Sequence, residues 1–372
     1  MIRKAVCLIV GFTVILGFSK LDTTYAYSAS SYCLYDPVLK KVLASSNMHS
    51  RKAMASTTKI MTALIACELC DLTQTVTVTD KMIACEGSSI GLQVGDEISY
   101  KDLLYGLMLE SGNDAALCLA VSISGSEKAF SMLMNEKAKS LGMKNTNFVT
   151  CNGLDDRLHY SSAFDLALLT ATAMQNDIFH SIVSTKVYTA IYNNEEKKRT
   201  YYNHNRLLST LNGCEGVKTG FTKKSGRCLV SSCKRNGVRL IAVTLNDGDD
   251  WNDHKRLYES GYQKYEKIPL EYSSHFVDVI NADTSEIKAE TKEKEISFYQ
   301  GLSSFIKPKI HLPNFLYSPV KTGQKIGFVE YYYNDVMIAK TDIVAIENAN
   351  RLKKKVKTSG FFEILLELLV RK

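Results

Sequence analysis

The first half of the chain has hydrophobic positions with the spacing of helices. An apolar run of helical length extends from Ser56 to Leu69, and residues 102–108 and 114–121 have a similar pattern. Residues 127–141 place their apolar side chains on one face, and a capping sequence that starts at Ser162 predicts another helix. We therefore predict several helices in this part of the chain, after short strands at its start.

The second half changes to short runs rich in β-branched residues. Residues 227–234 and 238–245 are joined through Asn236-Gly237, which predicts a β-hairpin. From Phe276 to Ile346, short β-branched and aromatic runs alternate with Gly and Pro. Four of the five prolines fall at or after Pro269. The pattern predicts a mixed domain of helices and strands over residues 27–268, followed by a small all-β domain over residues 269–350.

The N-terminus has the pattern of a secretory signal peptide. Arg3 and Lys4 precede an apolar run of about 14 residues, and Thr24-Tyr25-Ala26 provides a small-residue cleavage site. The run is shorter than the roughly 20 residues that span a bilayer. We therefore expect residues 1–26 to be removed and the protein to be exported.

The C-terminus, residues 351–372, combines a basic run with an apolar segment. Arg351–Lys357 is followed by Gly360 and by apolar residues among which Glu363 and Glu367 share one helical face. This pattern predicts an amphipathic helix that associates peripherally with the extracytoplasmic face of the membrane. A coiled-coil or core-docking helix is the alternative.

Composition and charge exclude several classes of protein. Among the 372 residues, 45% are hydrophobic and 23% charged, values typical of a globular protein and not of a disordered, collagen-like or multi-span membrane protein. The net charge of +7 comes from the two ends, because residues 1–26 contribute +2 and residues 351–372 contribute +5, which leaves 7 − 2 − 5 = 0 for the body. We therefore expect no nucleic-acid partner.

The cysteines and histidines suggest neither a disulfide framework nor a metal site. Removal of Cys7 with the signal peptide leaves nine of the ten cysteines, an odd number. Cys67 and Cys70 have the spacing of a redox motif but lie late in an apolar helical run, so core cysteines are the favoured interpretation. The seven histidines are scattered, and we expect no metal or cofactor.

Three short motifs carry the candidate chemistry. Ser56 and Lys59 are three residues apart, so a helix places a hydroxyl and an amine within contact range. Burial lowers the pKa of a lysine, which would make this amine a usable base for the serine. Three other segments, which begin at Ser231, Ser285 and Ser304, match the same Ser-x-x-Lys spacing, but only Ser56 opens an apolar helical run.

The other two motifs lie downstream. Ser111 and Asn113 flank a glycine before a predicted helix, where helix capping would explain them equally well. Lys218-Thr219-Gly220 precedes the hairpin and, as an edge strand, would offer a cation, a hydroxyl and backbone N–H groups to a ligand. A second Lys-Thr-Gly, residues 321–323, is predicted to be a turn.

The ordered set Ser-x-x-Lys, Ser-x-Asn and Lys-Thr-Gly is the signature of penicillin-binding proteins and class A β-lactamases. With its flanking residues, the chain resembles the low-molecular-weight penicillin-binding proteins of peptidase family S11, which are serine D-alanyl-D-alanine carboxypeptidases. The resemblance implies an α+β fold, in which a penicillin-binding/β-lactamase-like transpeptidase domain precedes the small all-β domain and the C-terminal amphipathic helix.

The resemblance also implies a substrate, an inhibitor class and roles for the motif residues. Ser56 would attack the carbonyl between the two terminal D-alanines of a peptidoglycan stem peptide, with Lys59 as base and Ser111 as proton relay. Asn113 would bind the substrate amide, and Lys218 and Thr219 its carboxylate. The remaining implied contacts are the close approach of Gly220 and an oxyanion hole formed by the N–H groups of Ser56 and Phe221. β-Lactams would acylate Ser56.

Two alternatives stay open at this point. A class A β-lactamase needs a Glu that directs the deacylating water, which the resemblance places in a Glu-x-x-x-Asn segment between the second and third motifs. None of the glutamates in that interval has Asn four residues later: Glu127, Glu136, Glu195, Glu196 and Glu215. The second alternative is a non-catalytic penicillin sensor or peptidoglycan-binding paralogue.

Overall fold

The computed structural model describes residues 26–193, 196–270, 274–352 and 370. The predicted signal peptide, apart from Ala26, lies outside the described residues. The same holds for the predicted membrane-associating tail, apart from residues 351, 352 and 370.

The first five helices form where the sequence predicts them, and the three that follow were not predicted. They are α1 (Lys59–Leu69), α2 (Tyr100–Leu109), α3 (Asn113–Ser124), α4 (Glu127–Ser140), α5 (Ala163–Ala173), α6 (Asp177–Ser184), α7 (Leu207–Thr210) and α8 (Asp250–Tyr262). Ser162 caps α5 by accepting a hydrogen bond from the Asp165 N–H, which is one of the donors that a helix start leaves free. The helix predicted from Ser56 begins instead with a 3₁₀ turn, Ala55–Thr58, and continues as α1.

The first domain contains a five-stranded antiparallel sheet in the order β2-β1-β9-β8-β7. Its strands are β1 (Ser31–Asp36), β2 (Lys41–Ser46), β7 (Cys214–Thr222), β8 (Gly226–Arg235) and β9 (Val238–Leu245). Asn236 and Gly237 both have positive φ values, 50° and 84°, as the predicted hairpin turn requires. Strand β7, which carries the third motif, lies at the edge of the sheet, so one of its sides is free for a ligand.

A smaller four-stranded sheet accompanies the helices in the order β3-β4-β5-β6. Its strands are β3 (Thr75–Thr77), β4 (Glu97–Ser99), β5 (Val187–Tyr192) and β6 (Lys197–Tyr202). Helix α1 lies at the centre of the domain, and its residues from Lys59 to Cys67 are all buried. Such a helix has no solvent-facing side over most of its length, which explains its continuous apolar run.

The second domain is built from strands, as predicted. A six-stranded sheet has the order β14-β16-β17-β12-β11-β15, and β10 pairs with β13. The strands are β10 (Tyr265–Pro269), β11 (Ser274–Ile280), β12 (Glu286–Thr291), β13 (Glu295–Tyr299), β14 (Lys307–His311), β15 (Phe315–Tyr317), β16 (Lys325–Tyr333) and β17 (Val336–Ala345). The boundary predicted at residue 269 therefore falls at the end of a strand that pairs with the second domain, so the connection is a strand and not a free linker.

Candidate active site

The first motif lies at the junction between a 3₁₀ turn and α1. Side chains three residues apart are eclipsed in a 3₁₀ helix, which brings Lys59 above Ser56. The Lys59 Nζ lies 3.0 Å from the Ser56 Oγ. Ala55, immediately before the serine, has a φ of 47°, a conformation that costs a non-glycine residue free energy and that often occurs at functional sites.

Lys59 is completely buried and surrounded by uncharged oxygens. Its Nζ donates to the Asn113 Oδ1 at 2.7 Å and to the Asn152 carbonyl at 2.8 Å. Burial, reinforced by the positive charge of Lys218, holds the pKa of Lys59 well below its usual range. A neutral amine has two N–H donors and one lone pair, so with both donors on these oxygens the lone pair can accept the Ser56 hydroxyl proton.

The second motif joins the site from the N-terminus of α3. The Asn113 side chain bridges two segments, because its Oδ1 accepts from Lys59 and its Nδ2 donates to the Glu86 carbonyl at 2.6 Å. Ser111 is buried with a φ of 63°, so the backbone is again in the left-handed region beside the site. Ser111 lines the same cleft as Ser56.

The third motif runs along edge strand β7 beside the 3₁₀ turn. Lys218 is buried, its Nζ donates to the Thr219 carbonyl at 3.0 Å, and burial lowers its pKa to about 7. A Cβ at Gly220 would lie 2.9 Å from the Ser56 backbone N and 3.1 Å from that of Thr57. Glycine at this position therefore permits the strand to approach the backbone of the nucleophile closely.

Together these residues form one cleft of about 370 Å³. Of the eight predicted site residues, Ser56, Ser111, Thr219, Gly220 and Phe221 line it. Lys59 contacts Ser56 directly, Asn113 contacts Lys59, and Lys218 is a buried residue of the edge strand. The remaining lining residues, which sequence reasoning did not select, are Ser88, His204, Arg206, Arg227, Asp250 and Trp251.

Sequence reasoning also missed the residues that hold the 3₁₀ turn in place. The His159 Nδ1 accepts from the Val149 N–H, so its Nε2 carries the proton and donates to the Thr58 Oγ1 at 2.8 Å. The Thr58 hydroxyl in turn donates to the Ala55 carbonyl at 2.9 Å. Burial lowers the pKa of His159 to about 4, which keeps the ring neutral.

Gly153 completes this support. Its φ is 92°, and a Cβ there would lie 2.0 Å from the Ala55 carbonyl oxygen, so only glycine fits. The neighbouring Asn152 supplies the carbonyl that accepts from Lys59. A single His and a Cys-Asn-Gly segment carry no recognisable motif, and for this reason they could not have been selected from the sequence.

The other Ser-x-x-Lys segments do not form such a site. The Ser231 hydroxyl is buried in β8 and contacts the His254 Nδ1 at 2.7 Å and the Tyr258 hydroxyl at 2.8 Å. Ser304 lies in an exposed 3₁₀ turn, and the second Lys-Thr-Gly forms a turn at Gly323, whose φ is 84°. Among the described residues, no group of three or more His, Cys, Asp or Glu side chains is arranged to hold a metal ion, and the nine cysteines are all free.

Comparison with known proteins assigns the family. Residues 19–249 match the family model described as D-alanyl-D-alanine carboxypeptidase. The chain belongs to this family. It is a low-molecular-weight penicillin-binding protein and a serine-type carboxypeptidase, as the motifs predicted. Residues 255–351 match the model described as the penicillin-binding protein 5 C-terminal domain, which agrees with the all-β second domain.

Individual relatives extend over nearly the whole carboxypeptidase chain. The D-alanyl-D-alanine carboxypeptidase DacF of Bacillus subtilis is 30% identical over 370 residues, covering 94% of this chain and 92% of the relative. The carboxypeptidase DacC of Escherichia coli is 32% identical over 364 residues, covering 92% of this chain and 88% of the relative. The structure of penicillin-binding protein 5 from Haemophilus influenzae superposes with a TM-score of 0.62 at 28% identity, covering 88% of this chain and 99% of that one. These relatives favour the carboxypeptidase over the β-lactamase alternative.

Proposed function

We propose that this carboxypeptidase removes the terminal D-alanine of peptidoglycan stem pentapeptides through an acyl-enzyme on Ser56. The hydroxyl of Ser56 contacts the amine of Lys59, whose pKa burial and Lys218 hold well below its usual range, and this contact is the observation that carries the proposal. Lys59 takes the hydroxyl proton as Ser56 attacks the carbonyl carbon, and D-alanine leaves with a proton. Water then releases the shortened peptide.

The other motif residues bind and orient the peptide. Lys218 and Thr219 hold the terminal carboxylate, and Ser111 carries the proton from the base toward the leaving amine. Asn113, anchored through Glu86 and Lys59, receives the amide of the acyl part. The N–H groups of Ser56 and Phe221 form the oxyanion hole, and the close approach of Gly220 to the Ser56 backbone supports this role.

Covalent labelling tests the nucleophile. Ser56→Ala should abolish labelling by a fluorescent penicillin and D-alanine release from a synthetic pentapeptide, while the thermal unfolding transition stays in place. Ser304→Ala is the matched control, since it lies in another Ser-x-x-Lys segment on an exposed 3₁₀ turn. Labelling that survives Ser56→Ala, or that maps to the Ser304 peptide, contradicts the assignment.

We also propose that the enzyme is exported and works at the extracytoplasmic face of the membrane, held there by the basic amphipathic tail. Among the described residues, no single helix has the length and apolar character needed to cross a membrane, and α3 with α4 passes that test only as a pair bent by 85°. The support for the tail is its sequence, because each Lys or Arg near an anionic surface adds roughly 1 kcal/mol of attraction.

Vesicle binding tests the tail. Deletion of residues 351–372 should release the enzyme from vesicles that contain anionic lipid and leave turnover of a soluble pentapeptide unchanged. Retention of the truncated enzyme after a salt wash contradicts this proposal. Mass spectrometry of the exported protein should find an N-terminus at residue 27 if residues 1–26 are removed.

A further inference from the structure

A cluster of carboxylates lies where β9 ends and α8 begins. Asp247 and Asp253 are buried, while Asp249, which precedes α8, has 47% of its side chain exposed. The Arg256 guanidinium pairs with Asp249 at 3.3 Å and also with Asp253. In the part of the chain that the structure describes, no ion pair involves Asp247. One guanidinium therefore serves a group of three carboxylates.

Asp247 is the least satisfied member of this cluster. Its Oδ1 accepts hydrogen bonds from the Ser28 hydroxyl and from the Asp249 N–H, the latter at 3.0 Å. Its Oδ2 is buried without a hydrogen-bond partner among the described residues. Burial raises the pKa of Asp247, and the negative charge of Asp253 adds to the rise. A buried carboxylate oxygen that lacks a donor costs free energy, so the position favours a ligand that brings both N–H donors and a positive charge.

The start of the predicted mature chain lies against the same two carboxylates. The Ser28 N–H donates to the Asp253 Oδ2 at 2.6 Å, and the Ser28 hydroxyl contacts both Asp253, at 3.1 Å, and Asp247. The Tyr27 ring packs against the Tyr32 ring with 4.6 Å between the centroids, which holds residue 27 in place. Standard bond lengths put the Tyr27 N within about 4 Å of the Ser28 N. The backbone nitrogen of Tyr27 therefore lies beside the carboxylate pair.

Removal of residues 1–26 changes the chemistry of that nitrogen. Hydrolysis of the Ala26–Tyr27 peptide bond by a peptidase of the export machinery consumes one water and leaves a carboxylate on Ala26 and an ammonium on Tyr27. A peptide nitrogen offers one N–H donor and no charge, whereas an ammonium offers three donors and a positive charge. Once the bond is cut, the nitrogen can turn about the Cα–C bond of Tyr27 towards the carboxylates. A metal ion suits the cluster less well, because no group of three or more His, Cys, Asp or Glu side chains within the described ranges is arranged to hold one.

We propose that Asp247 and Asp253 bind the N-terminal ammonium of Tyr27, which exists only after residues 1–26 have been removed. The inference rests on the proposed export and adds a binding site that only the processed protein completes. The precursor has a peptide bond at this position, so it supplies no cation to Asp247. Processing therefore stabilises the folded first domain, which gains this ion pair on export.

Two forms of the mature chain, residues 27–372, test the inference. One has an unmodified Tyr27 amine, and the other carries an acetyl group on that amine alone, which removes the charge and restores a peptide-like bond. At pH 7 the unmodified form should unfold at a thermal midpoint about 3 °C or more above that of the acetylated form, the shift expected when a domain of this length loses one buried ion pair. The other titratable groups of the cluster, Asp249, Arg256 and Tyr32, are identical in the two forms, so the difference reports the amine.

The pH dependence of that difference identifies the ammonium. Pairing with carboxylates raises the pKa of an α-amino group above its usual value of about 7.7–8.0. The unfolded chain keeps the usual value, so the difference between the midpoints should be complete at pH 7 and should disappear as the pH rises through the raised value. A difference that persists unchanged to about pH 11 would show that the acetyl group acts through its bulk, and it would overturn the inference.

Two substitutions then assign the partner. Asp247→Asn, made in both forms, should reduce the difference between the midpoints by about half or more, because an amide does not form an ion pair with the ammonium. Asp249→Asn is the matched control, since it removes a neighbouring carboxylate that already pairs with Arg256 and should leave the difference as it is in the wild type.

The outcomes separate this inference from the proposed function. Equal midpoints for the two forms at pH 7, or a difference that is unchanged in Asp247→Asn, overturn the inference, while D-alanine release by the unmodified form still supports the carboxypeptidase mechanism. An N-terminus of the exported protein at a residue other than 27 overturns the proposed processing site and this inference with it.

Discussion

Substitution of Gly220 by alanine tests the geometry of the active site more directly than removal of any polar group. Gly220 has an ordinary φ, so alanine there is not strained by backbone conformation and only space decides its effect. The added Cβ would lie 2.9 Å from the Ser56 N, 3.1 Å from the Thr57 N and 3.1 Å from the Ala55 Cβ. All three neighbours belong to the 3₁₀ turn that carries the nucleophile, and two of them are backbone atoms.

The magnitude follows from what must move. To accept the methyl group, β7 and the 3₁₀ turn must separate by a few tenths of an ångström, and overpacking of this kind costs about 1–3 kcal/mol of stability. The same methyl group covers the Ser56 N–H, a proposed oxyanion-hole donor. Loss of one such donor costs about 10²–10³ in kcat, so we expect Gly220→Ala to lose activity by a factor in that range while it remains folded.

The assay is the acylation rate with a chromogenic penicillin, together with kcat for D-alanine release and the thermal midpoint. Gly248→Ala is the control, because Gly248 has no positive φ and an added Cβ there has only the Ser28 Oγ within 4 Å, at 3.9 Å. It should change neither the acylation rate nor the midpoint. If Gly220→Ala retained kcat within about threefold of the wild type, the close approach of β7 to the nucleophile would not serve catalysis, and the oxyanion-hole assignment would be refuted.

Three further predictions concern protonation and the acyl-enzyme. Burial lowers the pKa of His159 to about 4 and that of His254 to about 3, whereas an unfolded histidine titrates near 6.5. The unfolded chain therefore binds more protons below about pH 6.5, and the free energy of unfolding should fall as the pH drops. The loss should reach about 3 kcal/mol for His159 alone. Urea unfolding at a series of pH values checks this, and a flat profile between pH 7 and 4 contradicts it. Burial holds the pKa of Lys59 well below its usual range, and Lys218 loses its proton above about 7. The second-order rate of penicillin acylation should therefore fall between pH 7 and 10, and a rise with a midpoint near 10 would contradict the lowered pKa of Lys59. Asp250 is the one carboxylate among the described residues that line the cleft, and Arg227 holds it, so no free carboxylate activates water there. The penicilloyl adduct should therefore persist for hours in intact-mass spectra. Rapid loss of the adduct with sustained β-lactam turnover would favour a β-lactamase.

Local pattern was enough to predict helices α1 to α5, the β8–β9 hairpin and the three motifs. The apolar run after Ser56 predicted a buried helix because α1 is enclosed on most of its surface, and Asn236-Gly237 predicted the hairpin because both residues adopt positive φ readily. The motifs were recognisable because each is contiguous within four residues. The pairing of Lys59 with Ser56 depends only on a spacing of three residues, so it was predictable although the turn is 3₁₀ and not α-helical.

The supporting residues depend on contacts that are distant along the chain. The Thr58 hydroxyl meets His159 across 101 residues, and Lys59 meets the Asn152 carbonyl across 93 residues. Local periodicity cannot bring such positions together, because it describes only one element at a time. Gly153 illustrates the same limit, since its requirement for glycine comes from the Ala55 carbonyl that packs against it and not from its own neighbours in sequence.

Burial lowers the pKa of both lysines of the site, and the groups around each amine differ. The polar partners of Lys59 are the Ser56 hydroxyl, the Asn113 amide and the Asn152 carbonyl, all uncharged, so a charge on its amine would be poorly compensated. Lys218, by contrast, benefits from the negative charge of Glu110, which opposes the effect of burial on its pKa. A peptide carboxylate at Lys218 adds to that effect and stabilises the ammonium there. The positive charge of Lys218 in turn lowers the pKa of Lys59, so the two amines of the site are electrostatically coupled.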